Sequence, residues 1–420
     1  MALEIFVGQT AMPTDAVGTT DLTSGDSATT PVAALHAKTK GVTNDSVAGD
    51  FELCIGMSDG TLSRAMSTTA NTGQATDDAT KGYYDAAIAG TAAGSQVQDG
   101  GVSHNSFISG GQRVNDDVAF GAAHLCQHMF FAGCNVATKE AVLNASVDTA
   151  VNVDPGFAWD VAIVTQCRET TLEDEDPDNN GSFGFMVKDD DEQACIAVGT
   201  NNGDASPGGP SLQISTTYAG MVINPGTGAL IFGIDVQEGS GTSCDVFPRI
   251  AGGESVLVAI LFIGFTDGAS VKRVSWDSPT SGGNNGITGA GGEPVALIHL
   301  LSRAAAYDTA EADAEAGAYG VSFITDDSQF CISGLNEFNT GGNSNTWSEP
   351  VAQSIKVRRD DGNQGALNSY AATHVSMDAN GWTENWTAVE DGGAAKQVSL
   401  AFLPATGEDI VIAVPLGPLR

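Results

Sequence analysis

Three stretches of this chain carry side chains whose types and spacing could do chemistry. The first, Asp176-Pro-Asp-Asn-Asn-Gly-Ser-Phe183, follows the spacing of a calcium loop. Asp176, Asp178 and Asn180 would turn oxygens toward one ion, Gly181 would permit the sharp turn and Phe183 would anchor the loop. Asp174 and Asp189 could add carboxylates, but Val187 stands where a bidentate Glu is usual, and an acidic surface loop explains the same residues. The second stretch holds His124, Cys126 and His128, which alternate, so a strand would set all three on one face; imidazole and thiolate together suit zinc. The third holds Trp382 and Trp386, flat apolar platforms that could stack on sugars or simply fill a core. No GxSxG, Walker A, HExxH or clean GxGxxG occurs, and acidic pairs are too plentiful to single out a glycosidase pair. No enzyme is expected, and no cofactor beyond a calcium ion in the first stretch.

The elements that would position these residues repeat. A hydrophobic run occurs as Leu125–Gly133, Val256–Gly264 and Val398–Pro404, with Phe131, Phe262 and Phe402 at matching places. A second run, Val32–Leu35, Val161–Val164 and Val295–Ile298, keeps similar spacing. Two markers with one spacing imply three modules of about 130 residues, each large enough for its own core. The boundaries fall at 1–133, 134–264 and 265–406, with a C-terminal extension over 407–420. On this alignment His124, Cys126 and His128 are replaced by Leu257, Ala259 and Leu261, then by Gln397, Ser399 and Ala401, as a variable contact face would be.

Within each module, polar Gly/Thr/Ser-rich turns separate short apolar runs. Phe51–Gly60, Phe183–Asp190 and Val321–Asp327 read as equivalent strands that end in turns. Asn380-Gly381 is a hairpin signal, and Trp382, Glu384 and Trp386 alternate after it as in a half-buried strand. Ala304–Ala318 contains helix formers but no apolar stripe. The expected fold is all-β, three antiparallel sandwich-like modules in tandem. Ile410, Val411, Ile412 and Val414 form a strand-like run outside the repeat that Pro415 stops, suited to adding to a neighbour's sheet edge.

Fifty-two acidic residues against 17 basic give a net charge of −35. Such a surface repels phosphate backbones and anionic lipid, so neither nucleic acid nor membrane is an expected partner. Seven cysteines, an odd number with no CxxC, give neither a disulfide framework nor a zinc ribbon. No signal peptide is visible at the N-terminus, and the longest apolar run, Val256 to Phe265, is too short to span a bilayer.

The repeated order of elements resembles modular virion proteins of tailed bacteriophages and prophages. The motifs that carry it are Thr30–Leu35, Asp154–Phe157 with Val161–Ile163, and Glu293–Leu297; then Phe51–Gly60; then Asn380-Gly-Trp-Thr-Glu-Asn-Trp-Thr387. It covers about residues 1–405, and the first two modules lack both tryptophans of the last motif. The resemblance implies a non-enzymatic structural protein on the particle surface, of the capsid-decoration or tail-associated type. It would be made in the host cytoplasm and would assemble with itself and with other virion proteins. A receptor- or glycan-binding tail protein is the alternative, and a polysaccharide hydrolase a third reading.

Overall fold

The computed structural model describes residues 2–25, 27–71, 79–92, 97–200, 211–225, 227–250, 255–310, 317–338, 344–360, 366–389 and 394–405. The described residues are all β, without a helix. The first strands are β1 (Glu4–Ala11), β2 (Thr19–Thr23), β3 (Ala33–Lys38), β4 (Phe51–Ser58), β5 (Ser63–Ala70), β6 (Ala79–Tyr84), β7 (Ile88–Ala92), β8 (Val97–Ile108), β9 (Gly111–Val118) and β10 (Leu125–Ala132). Next come β11 (Cys134–Leu143), β12 (Val151–Val153), β13 (Val161–Gln166), β14 (Asp174–Pro177), β15 (Asn179–Val187), β16 (Glu192–Thr200), β17 (Ser211–Ser215), β18 (Gly220–Ile223), β19 (Leu230–Glu238), β20 (Cys244–Pro248) and β21 (Val256–Phe265). The chain continues with β22 (Ser270–Asp277), β23 (Gly283–Thr288), β24 (Ala296–Ser302), β25 (Gly317–Ile324), β26 (Gln329–Phe338), β27 (Ser344–Val351), β28 (Ile355–Asp360), β29 (Ala366–Asp378), β30 (Gly381–Ala388) and β31 (Lys396–Leu403).

These strands build six antiparallel sheets. Three are large, ordered β1-β10-β3-β4-β5-β6-β14, β11-β21-β13-β15-β16-β17 and β22-β31-β24-β25-β26-β27. Three are four-stranded, ordered β2-β9-β8-β7, β12-β20-β19-β18 and β23-β30-β29-β28. Each small sheet packs over one face of a large one. Phe6, Phe130, Val102 and Val114 fill the first gap, Trp159, Phe262, Ile234 and Val246 the second, and Trp276, Trp382, Tyr370 and Leu297 the third. Tight turns need glycine where strands cross closely: a Cβ on Gly111 would lie 2.0 Å from the Leu22 carbonyl oxygen, and one on Gly381 1.9 Å from that of Ile287.

The other faces of the three large sheets meet in one shared core. Phe131 from the first and Phe402 from the third stack with ring centroids 5.7 Å apart, Phe265 lies 6.5 Å from Phe402, and Ile163, Leu261 and Ile263 complete the cluster from the second. Buried on both faces, β21 is apolar at every one of its positions (Val-Leu-Val-Ala-Ile-Leu-Phe-Ile-Gly-Phe). Each such side chain contributes about 1.5–3 kcal/mol on burial.

The three sandwiches also interlock at their edges. The segment after β13 lies along the free edge of β6: β14 pairs with it, and the Glu173 amide donates to the Tyr83 carbonyl at 2.8 Å. The segment after β3 lies along β27, with Asp45 and Ala48 amides on the Pro350 and Ser348 carbonyls at 2.9 and 2.8 Å. The segment after β24 reaches β17, where the Asp308 amide donates to the Ile214 carbonyl at 2.9 Å. Second on first, first on third and third on second make a closed ring. In it the sixth strand of each large sheet, otherwise an open template for aggregation, is covered.

Register corrects one sequence expectation. The Val32, Asp160 and Val295 amides donate to the carbonyls of Phe131, Ile263 and Phe402, each at 2.8 Å. The place of Phe131 and Phe402 is therefore held by Ile263. Phe262 is buried one residue away and faces Trp159 inside its own sandwich, at 5.4 Å between centroids. An unbroken apolar run carries no parity, so the shift was invisible in sequence.

Candidate functional site

Counting three residues inward from that amide contact reaches one structural place in each sandwich, and each fills it differently. In the first, His36 of β3 and His128 of β10 are cross-strand partners, both fully buried between the two sheets. Their Nδ1 atoms are 2.9 Å apart, and His36 Nε2 is 2.8 Å from Gln112 Oε1 on the facing β9. Gln112 Nε2 in turn lies 2.7 Å from His104 Nδ1. An amide oxygen can only accept, so His36 carries its proton on Nε2 and takes the His128 Nδ1–H at its own Nδ1. That leaves His128 Nε2 a lone pair, buried and unpartnered. Cys126 lies two residues before His128 on the same face, and one donor atom from each of His36, Cys126 and His128 falls within 4.8 Å of the others. Burial lowers the His36 pKa to about 4 and that of His128 well below the usual value, and it raises the Cys126 thiol. Both rings are thus neutral.

The same interior holds a buried ion pair, Lys38 Nζ to Glu52 Oε2 at 2.5 Å, both side chains 1% exposed. Burial pushes the Lys38 pKa down, but the Glu52 charge and neighbouring thiols more than restore it, so the net shift is upward. Phe120 lies under the ammonium, 5.1 Å from Nζ to ring centroid.

In the third sandwich the place is held by His299 and Ser399. Ser399 Oγ is 2.7 Å from His299 Nδ1, and His299 Nε2 is 3.8 Å from the Glu384 carboxylate. A serine, a histidine and a carboxylate in line have the order of a nucleophilic triad. Here, however, all three are sealed: Ser399 and Glu384 have no exposed surface, the Trp276 indole donates to the serine oxygen at 2.8 Å, and Trp382 stacks on the imidazole at 5.5 Å. The serine oxygen already accepts from the indole, and the three side chains form a buried polar network. Glu384 also takes His374 Nδ1 at 3.4 Å and the Ser354 hydroxyl. These partners outweigh burial, so its pKa is lowered. Burial pushes His374 down, but Glu384 and Asp326 outweigh it and the net shift is upward. In the second sandwich the place is plain hydrocarbon, Val164 against Ile260.

The sequence-derived sites fare unevenly. Asp176 lies in β14 and Asn180 in β15, with Asp178 a bend of positive φ between the two strands, and the buried Asn180 amide donates to the Ile223 carbonyl at 2.6 Å. Asp176 and Asp178 do line an open cleft of about 350 Å³, but Lys81 and Arg168 stand in the same wall. Lys81 Nζ is 3.1 Å from Glu169 and 3.9 Å from Asp176, so a cation of the chain already occupies the centre of that acidic group. Burial raises the Glu169 pKa to about 8. Trp382, Trp386 and the other three tryptophans are buried and present no face to a sugar. His124 precedes β10 and stands outside the His36–Cys126–His128 group, which sequence missed because His36 is 92 residues from His128. The one available signal was a histidine at the end of the marker run Val32–Leu35. The structural equivalents of His128 are Ile260 and Ser399, which replaces the pairing drawn from the runs. All seven cysteines are free, six of them buried. Ile410, Val411, Ile412 and Val414 lie outside the described residues.

No family model matches the chain, and no curated protein and no solved structure is matched.

Proposed function

We propose that the chain is three copies of one ten-strand sandwich folded into a single three-cornered block, and that this block is a non-enzymatic structural component on the surface of a tailed-virus particle. The observation that carries the reading is the closed ring. The N-terminal sandwich meets the C-terminal one through the same kind of edge contact as the other pairs, so one chain presents what a cyclic trimer would, without needing to associate. A block with approximate three-fold symmetry fits a three-fold position of a particle lattice. The burial of the Ser399–His299–Glu384 network and of the tryptophans, and the lysine in the acidic cleft, support this reading over a hydrolase or a glycan-binding protein. The net charge of −35 suits a solvent-facing coat. The run Ile410–Val414 is the segment we assign to attachment, by adding to a sheet edge of a neighbouring subunit.

Particles from a host that carries this gene, banded on a density gradient and analysed by mass spectrometry, provide the test. The chain is expected in the particle band at a fixed copy number, and a chain lacking residues 407–420 is expected to fold and to remain in the soluble fractions. Wild-type chain absent from the particle band would refute the virion role. A truncated chain banding normally would refute only the attachment segment.

A further inference from the structure

We propose that the interior of the first sandwich binds one soft monovalent metal ion, Cu(I), through His36, His128 and Cys126. The three donors come from two hydrogen-bonded strands in fixed register, so the backbone ladder holds them together. The ordinary explanation of two buried histidines is a satisfied hydrogen-bond pair, and this pair is not satisfied. It uses one proton between two nitrogens and leaves His128 Nε2 a buried lone pair with no partner. A buried ring nitrogen without a partner, in a group that also offers a second imidazole and a thiol within 4.8 Å, is what a metal ion can take up. The outer shell is in place as well: His36 donates its remaining ring proton to Gln112, which fixes its tautomer, and Gln112 is itself held by His104.

Charge and ligand number choose the ion. The site lies between Phe130 and other apolar side chains of the first gap, and Glu52, the buried carboxylate of that interior, is committed to Lys38. Two neutral imidazoles, one thiolate and Cu(I) sum to zero, and the thiol proton leaves to solvent as the ion enters. Zn(II) with the same ligands would bury an uncompensated positive charge. Zinc also favours four ligands, whereas a His, His, Cys set with a soft sulfur suits copper. The other sandwiches sharpen the stoichiometry. Val164 and Ile260 offer no ligand, and His299 with Ser399 offers one imidazole and no thiolate. One ion per chain is expected, not three.

The full chain is refolded anaerobically with Cu(I) held by a weak chelator, desalted, and its copper counted. One equivalent is expected, with an X-ray absorption edge showing nitrogen and sulfur scatterers. The variants Cys126→Ser and His128→Leu are expected to retain less than a tenth of that. Cys54→Ser, another buried thiol of the same interior, and His299→Leu in the third sandwich are expected to keep the full equivalent. Should Cys126→Ser fail to fold, the wild-type spectrum decides by the presence or absence of sulfur scattering. Wild type without retained copper, copper retained equally by Cys126→Ser, copper lost equally by Cys54→Ser, or uptake of zinc in preference to copper would each overturn the proposal.

Discussion

The first and third sandwiches have polar interiors where the second has hydrocarbon, and they tolerate that polarity by opposite means. In the first, neutral histidines and a protonated thiol lie beside a self-contained Lys38–Glu52 pair. In the third, the Glu384 charge is spread over His299, His374 and Ser354 under a cover of indole rings. Val164 and Ile260 show that the architecture needs no polar group at this place. A buried ion pair seldom adds net stability over packed apolar side chains, so the polar sets are retained for something other than folding, or as an inheritance that their partners have made harmless. The comparison shows that burial alone does not make a charge costly; the completeness of its partners does.

The largest expected effect breaks the first interior. Lys38→Met strands the Glu52 carboxylate and should cost about 3–5 kcal/mol in denaturant unfolding, while Lys38→Met with Glu52→Leu should recover most of the loss. If the double variant is as damaged as the single, packing and not charge explains the effect. Glu384→Gln in the third interior keeps the shape and removes only the charge, so about 1.5–3 kcal/mol is expected in the same measurement.

Acidity distinguishes His36 and His128 of the first interior from His374 of the third. Burial holds the folded pKa of His36 down at about 4 and that of His128 well below its usual value, so their contribution is present above 6.5 and is lost as pH falls toward the folded values. His374 is raised, so its contribution is complete below 6.5 and is lost as pH rises through its folded value. Melting temperatures across pH 4–9 should therefore carry the His128 contribution on the acid side and the His374 contribution on the alkaline side. His128→Leu should flatten the acid limb and His374→Gln the alkaline limb; two variants that act on the same limb would contradict the assignment.

The smallest effect is expected at the rim. Lys272 Nζ and Asp190 Oδ2, 2.7 Å apart, join the third sandwich to the second through side chains 33% and 40% exposed. A double-mutant cycle should give a coupling of only about 0.2–1 kcal/mol, diminishing with salt. The buried Tyr319 hydroxyl, which donates to the Glu52 carbonyl at 2.6 Å between the third and first, ties sandwiches together where solvent does not compete.

Much of this architecture was legible in the sequence. The all-β class follows from short apolar runs between Gly-rich turns. What stayed hidden shares one cause. Strands such as Val256–Phe265 are buried on both faces, so no alternation marks which side chain belongs to which core, and the slip from Ile263 to Phe262 follows. The shared core and the ring of edge contacts join residues hundreds apart, such as Tyr319 and Glu52, for which no local pattern exists. The Asp176–Asn180 stretch has the spacing of a calcium loop, while its backbone pairs with β6 on one side and β16 on the other, a long-range placement that spacing does not show. The spacing of Trp382 and Trp386 suits either a sugar platform or a core, and in the structure both are buried in the core.

The central claim is that the three sandwiches, whatever their interiors hold, stand or fall together because they share a core and close a ring. Native-state hydrogen exchange in rising denaturant tests it most directly, by following amides of β3, β13 and β24, the third strand of each large sheet. One common opening free energy, converging for all three strands at the global unfolding value, is the result this account predicts. Three separate values, with the second sandwich opening while the first and third stay closed, would contradict it.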